Sequence, residues 1–193
     1  ALQKKNVRRI NMNQLGQALL ELDPPVRSLY VYNSNPALVA PEGNKVRKGL
    51  AREDLFTVVH DMFVTETAMY ADIVLPAASS FESTDFYTSY WHHYIQLQRP
   101  VIPPWGESKG NVEVFRLLAK GMGFADTMFD DTEEDLIRQA LDYPQNPYLQ
   151  GIDFETLAER NYAKARVAQP FIENLPTPSG RIELYSKRME AAG

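Results

Sequence analysis

The sequence predicts an α/β fold: a small parallel sheet with flanking helices, followed by a mostly helical and irregular extension. Three observations carry this. Short apolar runs of strand character alternate with runs of helical period through the first 82 residues, joined by short connections. Two of those runs end abruptly in polar residues, Asn33-Ser34-Asn35-Pro36 after the first and His60-Asp61 after the second. Beyond Glu82 the alternation stops and aromatic and Gln residues dominate, which sets the expected division at 1–82 and 83–193.

The elements follow in order. Met12, Leu15, Leu19 and Leu22 recur at helical spacing over residues 13–22, and Asp23-Pro24-Pro25 stops the run. "SLYVY", residues 28–32, reads as a short buried strand. Residues 42–52 carry helical chemistry, with Val46 and Leu50 on one face. A second strand over 55–59 runs into His60-Asp61, a short helix follows over 65–70, and a third strand over 73–75. Right-handed crossovers place the ends of all three strands on one edge, where open sheets of this kind bind ligands.

In the second part, residues 86–104 show no clean period and read as extended segments and loops, closed by the turn Pro103-Pro104-Trp105-Gly106. Residues 111–122 form a helix capped by Asn111, with Val112, Phe115, Leu118, Ala119 and Met122 as its apolar stripe and Gly123 at its end. A further helix over 132–141 has Thr132 and Asp135 at capping-box spacing, with Leu136, Ile137 and Ala140 inward. Asp153 caps a third helix through Glu159, and "TPSGRIELYS" reads as a turn followed by an alternating strand over 181–185.

Composition excludes several classes. At 193 residues and 44% hydrophobic the chain buries a sizeable core. A net charge of −5 argues against a nucleic-acid polymer as partner, because backbone phosphates need clustered Lys and Arg. The densest basic cluster, Lys4-Lys5 with Arg8-Arg9, reads as a solvated tail. Without cysteine the chain holds no disulfide, no Cys-ligated zinc and no iron–sulfur cluster. No apolar run approaches the ~18 residues of a membrane span. The opening Ala1-Leu2-Gln3, without Met, suggests a piece of something longer. His92 and His93 are adjacent and face opposite sides of an extended strand, so they do not serve one metal. No Gly-x-Ser-x-Gly elbow supports a hydrolase, and "NSNPAL" has no glycine for a dinucleotide turn.

The chemistry concentrates on Asp61 and Thr65. A carboxylate at a strand's carboxyl end accepts from two adjacent donors, such as guanine N1–H with its N2 amino group, or a ribose diol. Thr65 caps the next helix or offers its hydroxyl and the first-turn amides to an anion. Spacing alone leaves open that Asp61 only ends the strand and caps its turn.

Taken together, "NSNPALVAP", "LFTVVHDMFVTETAMYADIVLPAASSFE", "GESKGNVEVFRLLAKGMG" and "TPSGRIELYS" resemble the molybdopterin oxidoreductases of the dimethyl-sulfoxide-reductase and formate-dehydrogenase type, from residue 29 onward. The resemblance implies a parent enzyme holding molybdenum or tungsten between two molybdopterin guanine dinucleotides. The matching part is the second half of one α/β domain that grips a guanine nucleotide tail. It implies that Asp61 contacts the guanine or its ribose, with His60 beside it, Thr65 nearby, and Asn33 and Asn35 contributing from the neighbouring strand end. Ser83 and Asn111 match positions that touch the cofactor in some relatives. The family's Cys cluster for a 4Fe–4S centre, its metal ligand and its C-terminal barrel-like domain have no counterpart in these residues. The resemblance therefore implies an internal fragment whose partners are the remaining domains of the parent and the guanine-nucleotide cofactor. The alternative is an α/β binding or interaction module that kept the fold without the cofactor.

Overall fold

A computed structural model describes residues 7–167, 175 and 177–191, so Lys4 and Lys5 lie outside the described residues. The described chain forms two compact units. One contains the described residues through Ser83 together with Arg99–Asp130, and the other contains Thr84–Gln98 and the described residues from Asp131 on. The division thus does not fall simply at Glu82, because residues 99–130 return to the first unit.

The first unit is built on three parallel strands, β1 (Ser28–Tyr32), β2 (Phe56–Asp61) and β3 (Ile73–Pro76), in the order β1-β2-β3. Val31 lies opposite Val59, Tyr32 opposite His60, and His60 opposite Leu75. A parallel sheet is stable only when both faces are covered. One face carries Val31 and Val59, packed with Ala68, beside a core of Leu19, Ala37, Val46, Leu50 and Leu55. That core draws on α1 (Leu15–Glu21), α2 (Pro36–Val39) and α3 (Gly43–Leu50). The opposite face carries Tyr30 and Tyr32, whose rings lie 5.7 and 5.2 Å from that of Phe115 on α4 (Asn111–Gly121).

Glycine sets the closeness of α1 and α3. A Cβ at Gly49 would stand 2.5 Å from Leu19 Cβ, and one at Gly16 would stand 2.7 Å from Lys45 Cβ. Below the sheet, Asp72 accepts from the Thr57 amide at 2.7 Å, so it caps the strand entry, while Arg52 pairs with Asp54.

The second unit pairs β4 (Asp85–Tyr87), β5 (Tyr94–Gln98) and β6 (Tyr162–Lys164) in an antiparallel sheet. Its core joins Ile95 and Leu97 to Ile137 and Leu141 of α5 (Glu133–Leu141), to Phe154 and Leu157 of α6 (Phe154–Arg160), and to Ile152. Thr132 and Asp135 form the expected reciprocal capping box, and Asp153 accepts from the Thr156 amide at 2.7 Å.

Three expectations are corrected. Residues 181–185 form no strand: Ile182 and Leu184 are 77% and 99% exposed, and Ser179 donates through its amide and hydroxyl to Glu183 Oε1, curling the segment before α7 (Lys187–Glu190). Alternation alone cannot make a strand where no partner edge meets it among the described residues. Gly110, not Asn111, is the cap residue of α4, and Val114 with Ala119 are its buried positions while Phe115, Leu118 and Met122 stay partly open. On α5 the inward residues are Ile137 and Leu141, and Leu136 and Ala140 face out. The antiparallel strands were also not individually legible in residues 86–104.

The glycines make a test of sign. Gly49→Ala should destabilise by about 1–3 kcal/mol through overpacking against Leu19. Gly121→Ala, a helical position with nothing within 4 Å of the new Cβ, should stabilise by about 0.4–1 kcal/mol. Denaturant unfolding of both variants checks this, and equal shifts of one sign would refute the packing account.

Candidate functional site

The carboxyl ends of β1, β2 and β3 form one rim, and all the residues expected there lie in the first unit. Asp61 ends β2, half-buried and opposite Pro76 of β3. Its Oδ1 accepts one long bond, 3.4 Å, from the Phe63 amide, while its backbone carbonyl accepts from Ala77 N–H at 3.1 Å. A carboxylate has about four lone-pair sites. The single long contact leaves most of that capacity open towards the rim.

His60 points the other way. Successive side chains on a strand face opposite sides, and His60 is 0% exposed. Its Nε2 lies 3.2 Å from the Lys109 carbonyl oxygen, which can only accept, so Nε2 carries the hydrogen. Nδ1 is buried without a hydrogen-bond partner. The same Lys109 carbonyl accepts from Ala78 N–H at 2.9 Å, and Lys109 N–H donates to the Pro76 carbonyl at 3.1 Å. His60 thus fastens β2 to the segment that leads into α4.

Asn33 is exposed with φ 50°, a left-handed conformation that Asn tolerates, and its amide donates to the His60 carbonyl at 3.4 Å. The Asn35 side chain is engaged on both ends: Oδ1 accepts from Thr67 N–H (3.2 Å) and Thr67 O–H (2.7 Å), and Nδ2 donates to Glu66 at 2.6 Å. Thr65 Oγ1 accepts from Ala68 N–H at 3.3 Å, while the residue in the cap position of the turn is Thr67 rather than the expected Thr65. That turn, Ala68–Tyr70, is a three-residue 3-10 helix. It is too short to align the peptides that attract an anion at a longer helix end.

Ser83 donates to the Ser79 carbonyl at 3.1 Å, and Asn111 is half-buried at the first position of α4. Glu82, beside Ser83, accepts from Ser79 N–H and O–H, both at 2.7 Å, and from Trp105 N–H at 2.6 Å. The residue that sequence reasoning missed is Thr67. Its type and spacing carry no signal; only the fold shows that it is enclosed.

Residues 5–121, more than half of the chain, match the family model described as molybdopterin oxidoreductase. The chain belongs to the molybdopterin oxidoreductase family. It is 64% identical over its whole length to the probable oxidoreductase YoaE of Bacillus subtilis, of which it covers 28%. It is 29% identical to the dimethyl sulfoxide/trimethylamine N-oxide reductase of Rhodobacter capsulatus, over 88% of this chain and 23% of that protein. Among solved structures, acetylene hydratase from Pelobacter acetylenicus superposes with a TM-score of 0.67 at 26% identity, covering 93% of this chain and 24% of that one. The chain therefore spans about a quarter of the length of these molybdopterin relatives. Membership supports a molybdenum or tungsten pterin cofactor in the larger protein. No helix among the described residues is long and apolar enough to cross a membrane, and none of their His, Asp and Glu side chains cluster as a metal site.

The donors around Glu82, the Ser79 amide first, then its hydroxyl and the Trp105 amide, hold its carboxyl below the ordinary glutamate range. A carboxyl depressed in the folded state stabilises the fold fully above its ordinary pKa, and this is lost as pH falls through the depressed value. The unsubstituted protein should therefore melt above Glu82→Gln near neutral pH, with the gap closing in acid. A gap that stays constant with pH would show that the Glu82 charge contributes nothing.

Proposed function

We propose that this chain holds the guanine nucleotide end of a molybdopterin guanine dinucleotide inside a larger molybdenum or tungsten oxidoreductase. The observation that carries the reading is the half-buried Asp61 carboxylate at the rim, with one long backbone contact and open acceptor capacity. A guanine edge or a ribose diol supplies two adjacent donors that such a carboxylate satisfies with charge-assisted bonds. In this reading exposed Asn33, on the turn after β1, and the remaining donor of the Thr65 hydroxyl, on the connection after β2, offer further contacts. Ser83 and Asn111 stand on neighbouring connections and are secondary candidates. His60 and Asn35 belong to the frame: one is sealed beneath the rim, and the other is taken up by Thr67 and Glu66.

In this reading the bound group supplies two-electron redox chemistry at its metal. The chain itself binds and orients. A 4Fe–4S cluster and the remaining domains would belong to the rest of the protein, as would the choice of substrate. Support for a larger parent comes from relatives about four times as long as the matched region.

The test uses the protein expressed from its complete reading frame. Acid hydrolysis should release GMP, and metal analysis should find molybdenum or tungsten. Asp61→Ala should retain its fold and hold guanine nucleotide more weakly, with affinity lowered by roughly 1.5–3 kcal/mol for the lost charge-assisted bonds. Undiminished GMP in Asp61→Ala overturns the assignment of this residue. Absence of both nucleotide and metal favours the binding-module alternative.

A further inference from the structure

The two connections that carry the rim residues are tied together by a polar knot that ligand contact does not require. Thr67 is 0% exposed. Its hydroxyl donates to Asn35 Oδ1 at 2.7 Å and accepts from Ala37 N–H at 3.0 Å, and its own amide donates to the same Oδ1 at 3.2 Å. Asn35 Nδ2 continues the chain to Glu66 Oε2 at 2.6 Å. The turn after β1, with α2 that follows it, and the connection after β2 therefore share three bonds through one threonine. Asp61 stands at the start of that second connection, and Asn33 stands in that first turn.

Stability alone does not explain this choice. Replacing both partners of a buried hydrogen bond by apolar groups of the same shape is nearly neutral, whereas a satisfied buried network imposes one geometry. Here the geometry imposed is the spacing between the Asp61 connection and the Asn33 turn. Asx and threonine side chains that bond locally would shape each loop by itself. These bonds instead span some thirty positions of sequence, |i−j| being 32 between Asn35 and Thr67.

We infer that Thr67 and Asn35 are positioning residues: they set where Asp61 stands relative to the Asn33 turn, and so govern retention of the guanine nucleotide without touching it. The inference rests on the reading of Asp61 given above. It assigns a role to Thr67 and moves Asn35 from contact to support.

The experiment compares Thr67→Val, Thr67→Ser, Asn35→Ala and Asp61→Ala in the full-length holoprotein. The readouts are the rate at which GMP-yielding cofactor is lost below the melting temperature, and the melting temperature itself. Thr67→Val should lose cofactor about three- to tenfold faster, the scale of the net contribution of about one hydrogen bond. Thr67→Ser, which keeps the hydroxyl, should behave as the parent. In an Asp61→Ala background Thr67→Val should add less to the loss rate than it does alone, because part of its effect passes through the Asp61 contact. Parental retention by Thr67→Val, or an effect undiminished in the Asp61→Ala background, overturns the inference. Should Thr67→Val not fold, Asn35→Ala, which alters a half-buried residue, is judged by the same two criteria. If Asp61→Ala alone retains cofactor like the parent, it is the underlying reading that fails, so the two failures are separable.

Discussion

The pairing of β2 with a parallel neighbour on each side is the constraint from which the rest takes its place. Because side chains alternate, a slip of one residue would exchange the two faces of the strand. Val59, which has no exposed surface, would leave the pocket of Val31 and Ala68, and His60 would replace it there, away from the Lys109 carbonyl. Such a slip would also turn Asp61 from one side of the rim to the other. The apolar contacts of Val59 and the single bond of His60 thus fix the same quantity from opposite faces. That is why a strand of six residues can deliver a carboxylate to a defined position.

Much of the fold was legible because its signals are local. A short apolar, β-prone run made β1, helical spacing with a following Asp-Pro-Pro stopped α1, and Thr132 with Asp135 announced a capped helix three residues apart. What failed needed information from elsewhere in the chain. Ile182 and Leu184 alternate as well as any strand residues do, yet no edge among the described residues meets them. On α4 the apolar residues cover more than one face, so composition could not say that Val114 and Ala119 would be the buried ones while Phe115 reaches Tyr30 and Tyr32. β6 is only three residues long and exists because β5 offers it an edge.

The rim was legible in one respect and opaque in another. Asp61 could be placed at a strand end from the apolar run before it, and the structure leaves it there with acceptor capacity unused. Residue type could not separate contact from support. His60 is adjacent to Asp61 in sequence, and the two-residue period of the strand sends it to the opposite face. Asn35 stands in a turn rich in polar residues, and its partners lie some thirty residues away. Whether a polar side chain meets a ligand or another loop depends on which of its atoms are already taken, a property of the folded chain alone.

Among the described residues, the buried polar side chains are Thr57, His60 and Thr67, and all three belong to β2 or the connection that follows it. Enclosing polar atoms is costly unless each finds a partner. Here the balance is incomplete, since Thr57 Oγ1 and His60 Nδ1 have none. A valine at Thr57, of nearly the same shape, would remove one of these unpaired atoms. Polar burial is therefore concentrated where it does least for stability and most for geometry: His60 anchors the strand end to the approach of α4, and Thr67 anchors the next loop to the β1 turn. A rim made only of apolar packing would tolerate small shifts of these loops, since such contacts are non-directional. Hydrogen bonds with defined donors and acceptors do not, and the pairing proposed for Asp61 with two adjacent donors would use that rigidity.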